Sequence, residues 1–179
     1  MDNDDSNEQT TSNQAANISE PELQMALEQL RSEQNLVMAV LAGLVAAVVG
    51  AGIWAAVTVA SGYQIGWIAI GIGFAVGFTI RIVGKGMDQI YGVAGAVLSL
   101  IGCALGNLLT MTYFIADAEG IPYLEILSQL NLDVAIEIMT ATFEPMDILF
   151  YGIAVYFGYR YAFRQLTDAD FARALGKSF

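Results

Sequence analysis

The feature that most constrains this chain is an uninterrupted run of uncharged, mostly apolar residues from Leu36 to Ala60. An α-helix rises about 1.5 Å per residue, so a run of this length crosses a hydrocarbon core about 30 Å thick. The whole chain is 56% hydrophobic and only 14% charged, which is more apolar than a typical soluble domain. The sequence therefore predicts an integral membrane protein.

Three later segments repeat this apolar character, and the predicted fold class is all-α with four transmembrane helices. The expected spans are residues 36–60, 65–83, 90–116 and 146–163. Between the third and fourth spans, residues 119–144 alternate acids with Leu, Ile and Val at helical spacing. This segment is too charged to cross a bilayer, and it is predicted to lie at the outer interface as an amphipathic hairpin of two short helices broken near Asn131.

The segments outside the spans divide into three parts. Residues 1–17 are polar and show no apolar periodicity, so we expect a disordered acidic tail. In residues 18–35, Ser19 and Glu22 form a capping-box pattern before apolar residues at helical spacing. This pattern predicts a cytoplasmic amphipathic helix. Residues 164–179 are expected to form a cytoplasmic C-terminal tail.

The positions of the basic residues predict the orientation. If the four spans alternate, all seven Lys and Arg residues fall on one side: Arg31, Arg81, Lys85, Arg160, Arg164, Arg173 and Lys177. Cytoplasmic loops of membrane proteins carry the excess of Lys and Arg. Both termini are therefore predicted to be cytoplasmic, and the segment between the third and fourth spans is predicted to be outside and purely acidic.

Composition also narrows the possible chemistry. The chain has no histidine, which removes the commonest metal ligand and the usual base for a Ser or Cys nucleophile. Cys103 is the single cysteine and lies in an apolar run, which favours a small buried hydrophobe. The net charge of −11 argues against nucleic-acid binding, which needs a surplus of basic residues. We expect no cofactor, no metal and no enzymatic activity.

Two pairs of glycines spaced four apart, Gly73 with Gly77 and Gly102 with Gly106, predict close helix packing. Small residues at this spacing let two helix backbones approach. Packing within a single four-helix bundle is the favoured interpretation, and the alternative is a homo-oligomer interface.

Arg81 and Lys85 lie in the stretch GFTIRIVGKGMDQIYG, where Gly-Lys-Gly superficially suggests a phosphate-binding loop. The spacing from Gly77 is wrong for a P-loop, and no Ser or Thr follows Lys85. The two cations are predicted to anchor the cytoplasmic end of the second span, while Gly84 and Gly86 let the chain turn. Contact with an anionic lipid headgroup or with an acidic segment of a partner is the alternative.

Three polar residues are candidates for an internal contact or a pore. Asn107 lies within the third span, where its amide needs a partner on another helix. Glu144 and Asp147 begin the fourth span, where acids favour the positive end of the helix dipole. Capping is favoured over a proton or cation site. Six acids precede or begin that span and would attract cations to an outer vestibule: Asp117, Glu119, Glu125, Asp133, Glu137 and Glu144.

Two blocks carry a family resemblance. YQIGWIAIGIGFAVGFTIRIVGKGMDQIYGVAGAVLSLIGCALGN, from Tyr63 to Asn107, resembles a recurring segment of small, uncharacterised bacterial membrane proteins. MDILFYGIAVYFGYRYAF, from Met146 to Phe163, resembles their last span. The resemblance implies a multi-pass fold in the bacterial inner membrane and assigns no chemistry.

The favoured function is a non-enzymatic membrane scaffold or accessory subunit, which contacts lipids and either forms a homo-oligomer or docks to a larger complex. The alternative is a small cation channel or transporter that uses the acidic outer vestibule and Asn107.

Overall fold

The computed structural model describes residues 19–63 and 66–176. The predicted disordered tail (1–17) and Lys177 lie outside the described residues. The described residues are 84% α-helical and contain no strand. The predicted all-α class is therefore confirmed for this part of the chain.

Helix boundaries follow the apolar segments closely. The described residues form eight helices: α1 Glu20–Ser32, α2 Leu36–Ser61, α3 Trp67–Gly84, α4 Gln89–Glu119, α5 Tyr123–Gln129, α6 Leu132–Thr142, α7 Pro145–Tyr161 and α8 Asp168–Leu175. Local chemistry sets many of the ends. Asn35 caps α2 by accepting a hydrogen bond from the Met38 amide at 2.9 Å, and Gly62 ends the helix with a left-handed backbone.

Three helices, α2, α3 and α4, are long and apolar enough to cross a membrane. They place many large apolar side chains on the surface, among them Val37, Leu41, Val45 and Val48 of α2. Helix α7 has 17 residues, which extend about 26 Å and fall slightly short of a typical hydrocarbon core. Helices α6 and α7 together are long enough to span, but the chain bends by 112° between them. The chain is a helical membrane protein.

Residues 35–163 form the first compact unit, the helical bundle. Helices α3 and α4 contact each other, and each also contacts α2 and α7. The central pair is thus flanked by α2 on one side and α7 on the other. The buried core includes Trp54, Ile72, Val76, Ile80 and Cys103.

The second compact unit, the terminal helix pair, consists of α1 and α8. Ala26 and Leu30 of α1 are buried. Within the expected C-terminal tail, residues 168–175 form α8, a helix that was not predicted from the sequence. The reason is local: the Thr167 side chain accepts a hydrogen bond from the Asp170 amide, and Gly176 ends the helix with φ of 63°.

The segment between α4 and α7 contains two short helices that break at Leu130 and Asn131. The Asn131 side chain caps α6 by accepting a hydrogen bond from the Val134 amide at 3.0 Å. Both α5 and α6 contact α4. The Tyr123 hydroxyl on α5 donates to the Leu109 carbonyl on α4 at 3.2 Å, and burial raises the pKa of Tyr123 above its ordinary value.

Candidate functional site

Four polar side chains from three helices are buried in the bundle, and we refer to Trp54, Thr58, Asn107 and Tyr151 as the buried polar cluster. Trp54 and Asn107 are each 1% exposed, and Thr58 is fully buried. Trp54 Nε1, Thr58 Oγ1, Asn107 Oδ1 and the Tyr151 hydroxyl make no hydrogen bond to any other described residue. Buried polar groups in proteins are almost always paired, so four such atoms in one bundle are unusual.

The three helices bring these side chains together in a defined way. Trp54 and Thr58 lie one turn apart on the same face of α2. The Trp54 ring packs over Gly106 of α4, where an added Cβ would lie 3.2 Å from it. Tyr151 of α7 meets Trp54 edge to face, with ring centroids 6.4 Å apart. The Asn107 amide approaches the Tyr151 hydroxyl without completing a hydrogen bond of normal geometry.

Other buried hydroxyls in the bundle are satisfied within their own helix. Ser99 donates to the Gly95 carbonyl at 2.7 Å, and Thr110 donates to the Gly106 carbonyl at 2.8 Å. Thr112 donates in the same way to the Leu108 carbonyl. Such bonds to the carbonyl four residues earlier are the ordinary solution for Ser and Thr in apolar helices. Thr58 is also a buried helical threonine, but its Oγ1 makes no hydrogen bond to the carbonyl four residues earlier.

Glu144 and Asp147 form the start of α7. Glu144 is the N-cap, Pro145 opens the helix, and the Asp147 carboxylate accepts a hydrogen bond from the Glu144 amide at 3.0 Å. Asp147 is buried and lies one turn before Tyr151 on α7. The structure thus brings Asn107 and Asp147 towards Tyr151, whereas Glu144 is exposed.

The paired glycines contact helices of the same chain. A Cβ at Gly73 would clash with the backbone of Ala154, and a Cβ at Gly77 would lie 2.8 Å from the Gly158 carbonyl oxygen. Both contacts join α3 to α7. On α4, a Cβ at Gly102 would lie 3.2 Å from Ala47 of α2. These faces, and the Gly106 face under Trp54, are covered within the bundle.

Arg81 and Lys85 lie at the end of α3, with Arg81 partly buried and Lys85 exposed. Neither Gly84 nor Gly86 adopts the left-handed conformation at this turn. Lys85 itself adopts the left-handed conformation, with φ of 49°, and its amide donates to the Arg81 carbonyl. The glycines are needed for space, because a Cβ on either would clash with the Tyr91 ring.

Sequence reasoning found Asn107 and missed Trp54, Thr58 and Tyr151. Trp54 and Thr58 are spaced four apart within an apolar run, and Tyr151 follows Asp147 by the same spacing. These spacings place each pair on one helix face. They do not indicate which faces meet. Within the described residues, no group of three or more His, Cys, Asp or Glu side chains is placed to hold a metal ion.

The three apolar helices and their packing define the class of the chain, a helical membrane protein. No protein-family model, curated protein or solved structure matches it. The resemblance of two of its blocks to uncharacterised bacterial membrane proteins stays a prediction.

Proposed function

We propose that the chain is a four-span protein of the bacterial inner membrane with both termini in the cytoplasm. The supporting observation is the packing of α1 on α8. Helix α1 precedes the first apolar helix and α8 follows the last. Two segments can pack together in this way only if they lie on the same side of the membrane, so the number of crossings is even. With α2, α3 and α4 as three crossings, α7 is the fourth.

The charges favour the cytoplasm as the side that holds the termini. Arg31, Arg164 and Arg173 lie in or beside the terminal helix pair, and Arg81 and Lys85 end α3. The charged residues in the segment between α4 and α7 are all acids. By the positive-inside rule this segment is outside, and α5 and α6 rest on the outer interface.

A reporter domain inserted after Ile121 tests this topology. A phosphatase that folds only outside the cytoplasm should be active there, and a fluorescent protein that folds only inside should be dark. The same reporters after Phe179 should give the opposite pattern. Cytoplasmic activity after Ile121, or external activity after Phe179, would contradict four spans.

Within this topology the chain acts as a non-enzymatic scaffold or accessory subunit. The terminal helix pair supports this proposal, because it is an ordered element built from both chain ends. Arg164 connects the end of α1 to α8, with Nη1 at 3.1 Å from Glu33 and Nη2 at 2.7 Å from Asp170. Met25 of α1 is an exposed apolar side chain on this pair. The glycine faces are covered by helices of the same bundle. Contacts with a partner would therefore involve other surfaces, among them the terminal helix pair.

The size of the particle extracted directly into native lipid discs tests the scaffold role. We expect a defined oligomer or a stoichiometric complex. Met25→Asp should release the partner subunit, whereas Leu124→Asp, which changes a still more exposed apolar residue on α5, should not. Recovery of the wild-type chain as a monomer alone would overturn the proposal.

A small cation channel is the second candidate, because the charged residues between α4 and α7 are all acids and Asn107 is buried on α4. Trp54 and Tyr151 meet between α2 and α7, so permeation would require these side chains to move. Liposomes with the purified protein would then conduct cations, and Glu137→Gln would lower the flux. Absence of flux in an assay that detects single channels would exclude this function.

A further inference from the structure

The described residues supply no hydrogen-bond partners for four side-chain atoms of the buried polar cluster. An unpaired polar atom in a bundle core disfavours the folded state by about ten-fold or more, and in a membrane no bulk water relieves it. Four such atoms lie on α2, α4 and α7. The Trp54 ring contacts Tyr151 of α7 and Gly106 of α4, which precedes Asn107, and Thr58 lies one turn after Trp54 on α2. A purely structural cluster would instead pair its members, as Ser99 and Thr110 do.

The donors and acceptors indicate the chemistry of that ligand. Trp54 Nε1 can only donate and Asn107 Oδ1 can only accept, while the Thr58 and Tyr151 hydroxyls can do both. A cation would be repelled by the indole N–H dipole, and an anion would be repelled by the Asn107 carbonyl oxygen. A neutral molecule that both donates and accepts satisfies all four groups.

We propose that the buried polar cluster is a binding site for a neutral hydroxylic ligand, either water or a small polyol. The ligand accepts from Trp54 Nε1, donates to Asn107 Oδ1 and exchanges hydrogen bonds with Thr58 and Tyr151. Buried waters in proteins typically make about three such bonds. This site is independent of the scaffold role, since it lies within one bundle and needs no partner.

Nuclear magnetic resonance of the Trp54 indole is the direct test. The chain has two tryptophans, so Trp67→Phe leaves one indole N–H signal in ¹⁵N-labelled protein in lipid discs. We expect a cross-relaxation peak between this proton and water. If glycerol replaces water, its carbon-bound protons should give the peak instead. An indole proton with neither peak, in protein whose fold is intact, would overturn the proposal.

A double-mutant cycle supplies a second, thermodynamic test. Asn107→Leu keeps the side-chain size and removes the acceptor. With a shared ligand, this change should lower the folding equilibrium about ten-fold, and Tyr151→Phe in the same protein should add little. Thr110→Val on the same helix is the control, because its hydroxyl has its own partner, and its effect should add to that of Tyr151→Phe. A stabilising Asn107→Leu would show a dry, unpaired amide and would contradict the proposal.

Discussion

The helical bundle (35–163) and the terminal helix pair (19–34 with 164–176) achieve stability by different means. In the bundle, α3 and α7 touch backbone to backbone at Gly73 and Ala154. In the terminal pair, the Arg164 side chain is only 10% exposed, and its guanidinium forms ion pairs with Glu33 and Asp170. Burial of apolar area contributes little to the association of helices in lipid, so close packing dominates in the bundle. Charge-assisted hydrogen bonds stabilise the terminal helix pair.

The largest effect should come from truncating the aromatic side chain that fills the bundle. Trp54→Ala removes a side chain that is 1% exposed, and we expect a loss of about 3 kcal/mol or more in the free energy of unfolding. Trp67→Ala, at a residue that is 73% exposed, should cost less than about 1 kcal/mol. Unfolding in mixed micelles measures both. Equal losses of unfolding free energy in the two variants would show that the buried Trp54 contributes no more to stability than the exposed Trp67.

Closing the narrowest helix contact should have the next largest effect. Gly73→Ala drives a methyl group into the Ala154 backbone, which cannot move like a flexible side chain, and we expect a loss of about 2 kcal/mol. Gly71→Ala is the matched control on the same helix, because a Cβ there meets nothing within 4 Å. The same unfolding assay applies. A neutral Gly73→Ala would mean that α3 and α7 are less closely packed than described.

In the terminal helix pair, the charge bridge should matter more than its neighbour. Arg164→Gln leaves Glu33 and Asp170 without their shared cation, and we expect about 1–2 kcal/mol less protection of α8 amides in hydrogen exchange. Arg173→Gln should change protection by less than about 0.5 kcal/mol, because Arg173 is 67% exposed and lies 3.9 Å from Asp170. Loss of protection in α3 or α4 would contradict a separate role for this bridge.

The smallest and most selective effect is on pH. Burial alone raises the pKa of Asp170, but hydrogen bonds from Arg164 and Thr167 and the charge of Arg164 outweigh it, so its pKa lies below the ordinary 3.8. A carboxylate with a lowered pKa stabilises the folded state above its unfolded pKa, and this contribution is lost as the pH falls through the folded value.

We therefore expect the protection of α8, corrected for intrinsic exchange rates, to be constant from neutral pH to about pH 4 and to decrease below it. Asp170→Asn should abolish this decrease. The protection of α4 amides should not decrease over this pH range if the bundle is stabilised by packing. A parallel decrease in α4 would contradict the proposed difference between the bundle and the terminal helix pair.

Helix ends were readily predicted where a single residue and its near neighbours determine them. Asn131 separates α5 from α6, and its side chain caps α6. The Ser19 amide donates to Glu22 at 3.1 Å, as the capping-box pattern predicts. Helix α8 was missed although Thr167 and Asp170 carry the same pattern. This failure was one of recognition, since the information was local.

Lys85 shows where local information is not enough. Glycine is the usual residue at a left-handed position, so Gly84 and Gly86 were expected to turn the chain. Tyr91 packs against both glycines, and a larger residue at either position would displace the ring. The left-handed residue is Lys85, and the two glycines instead provide space for the Tyr91 ring of the next helix.

The sequence by itself determined the membrane class, the helical segments and most of their ends, because hydropathy and capping depend on residues within one or two turns. Only the tertiary structure decided that the glycine faces of α3 and α4 are covered within the chain. It also decided that α1 pairs with α8, and that Trp54 of α2 meets Tyr151 of α7 and Gly106 of α4. These are contacts between residues distant in sequence, and spacing along one helix specifies a face but not its partner.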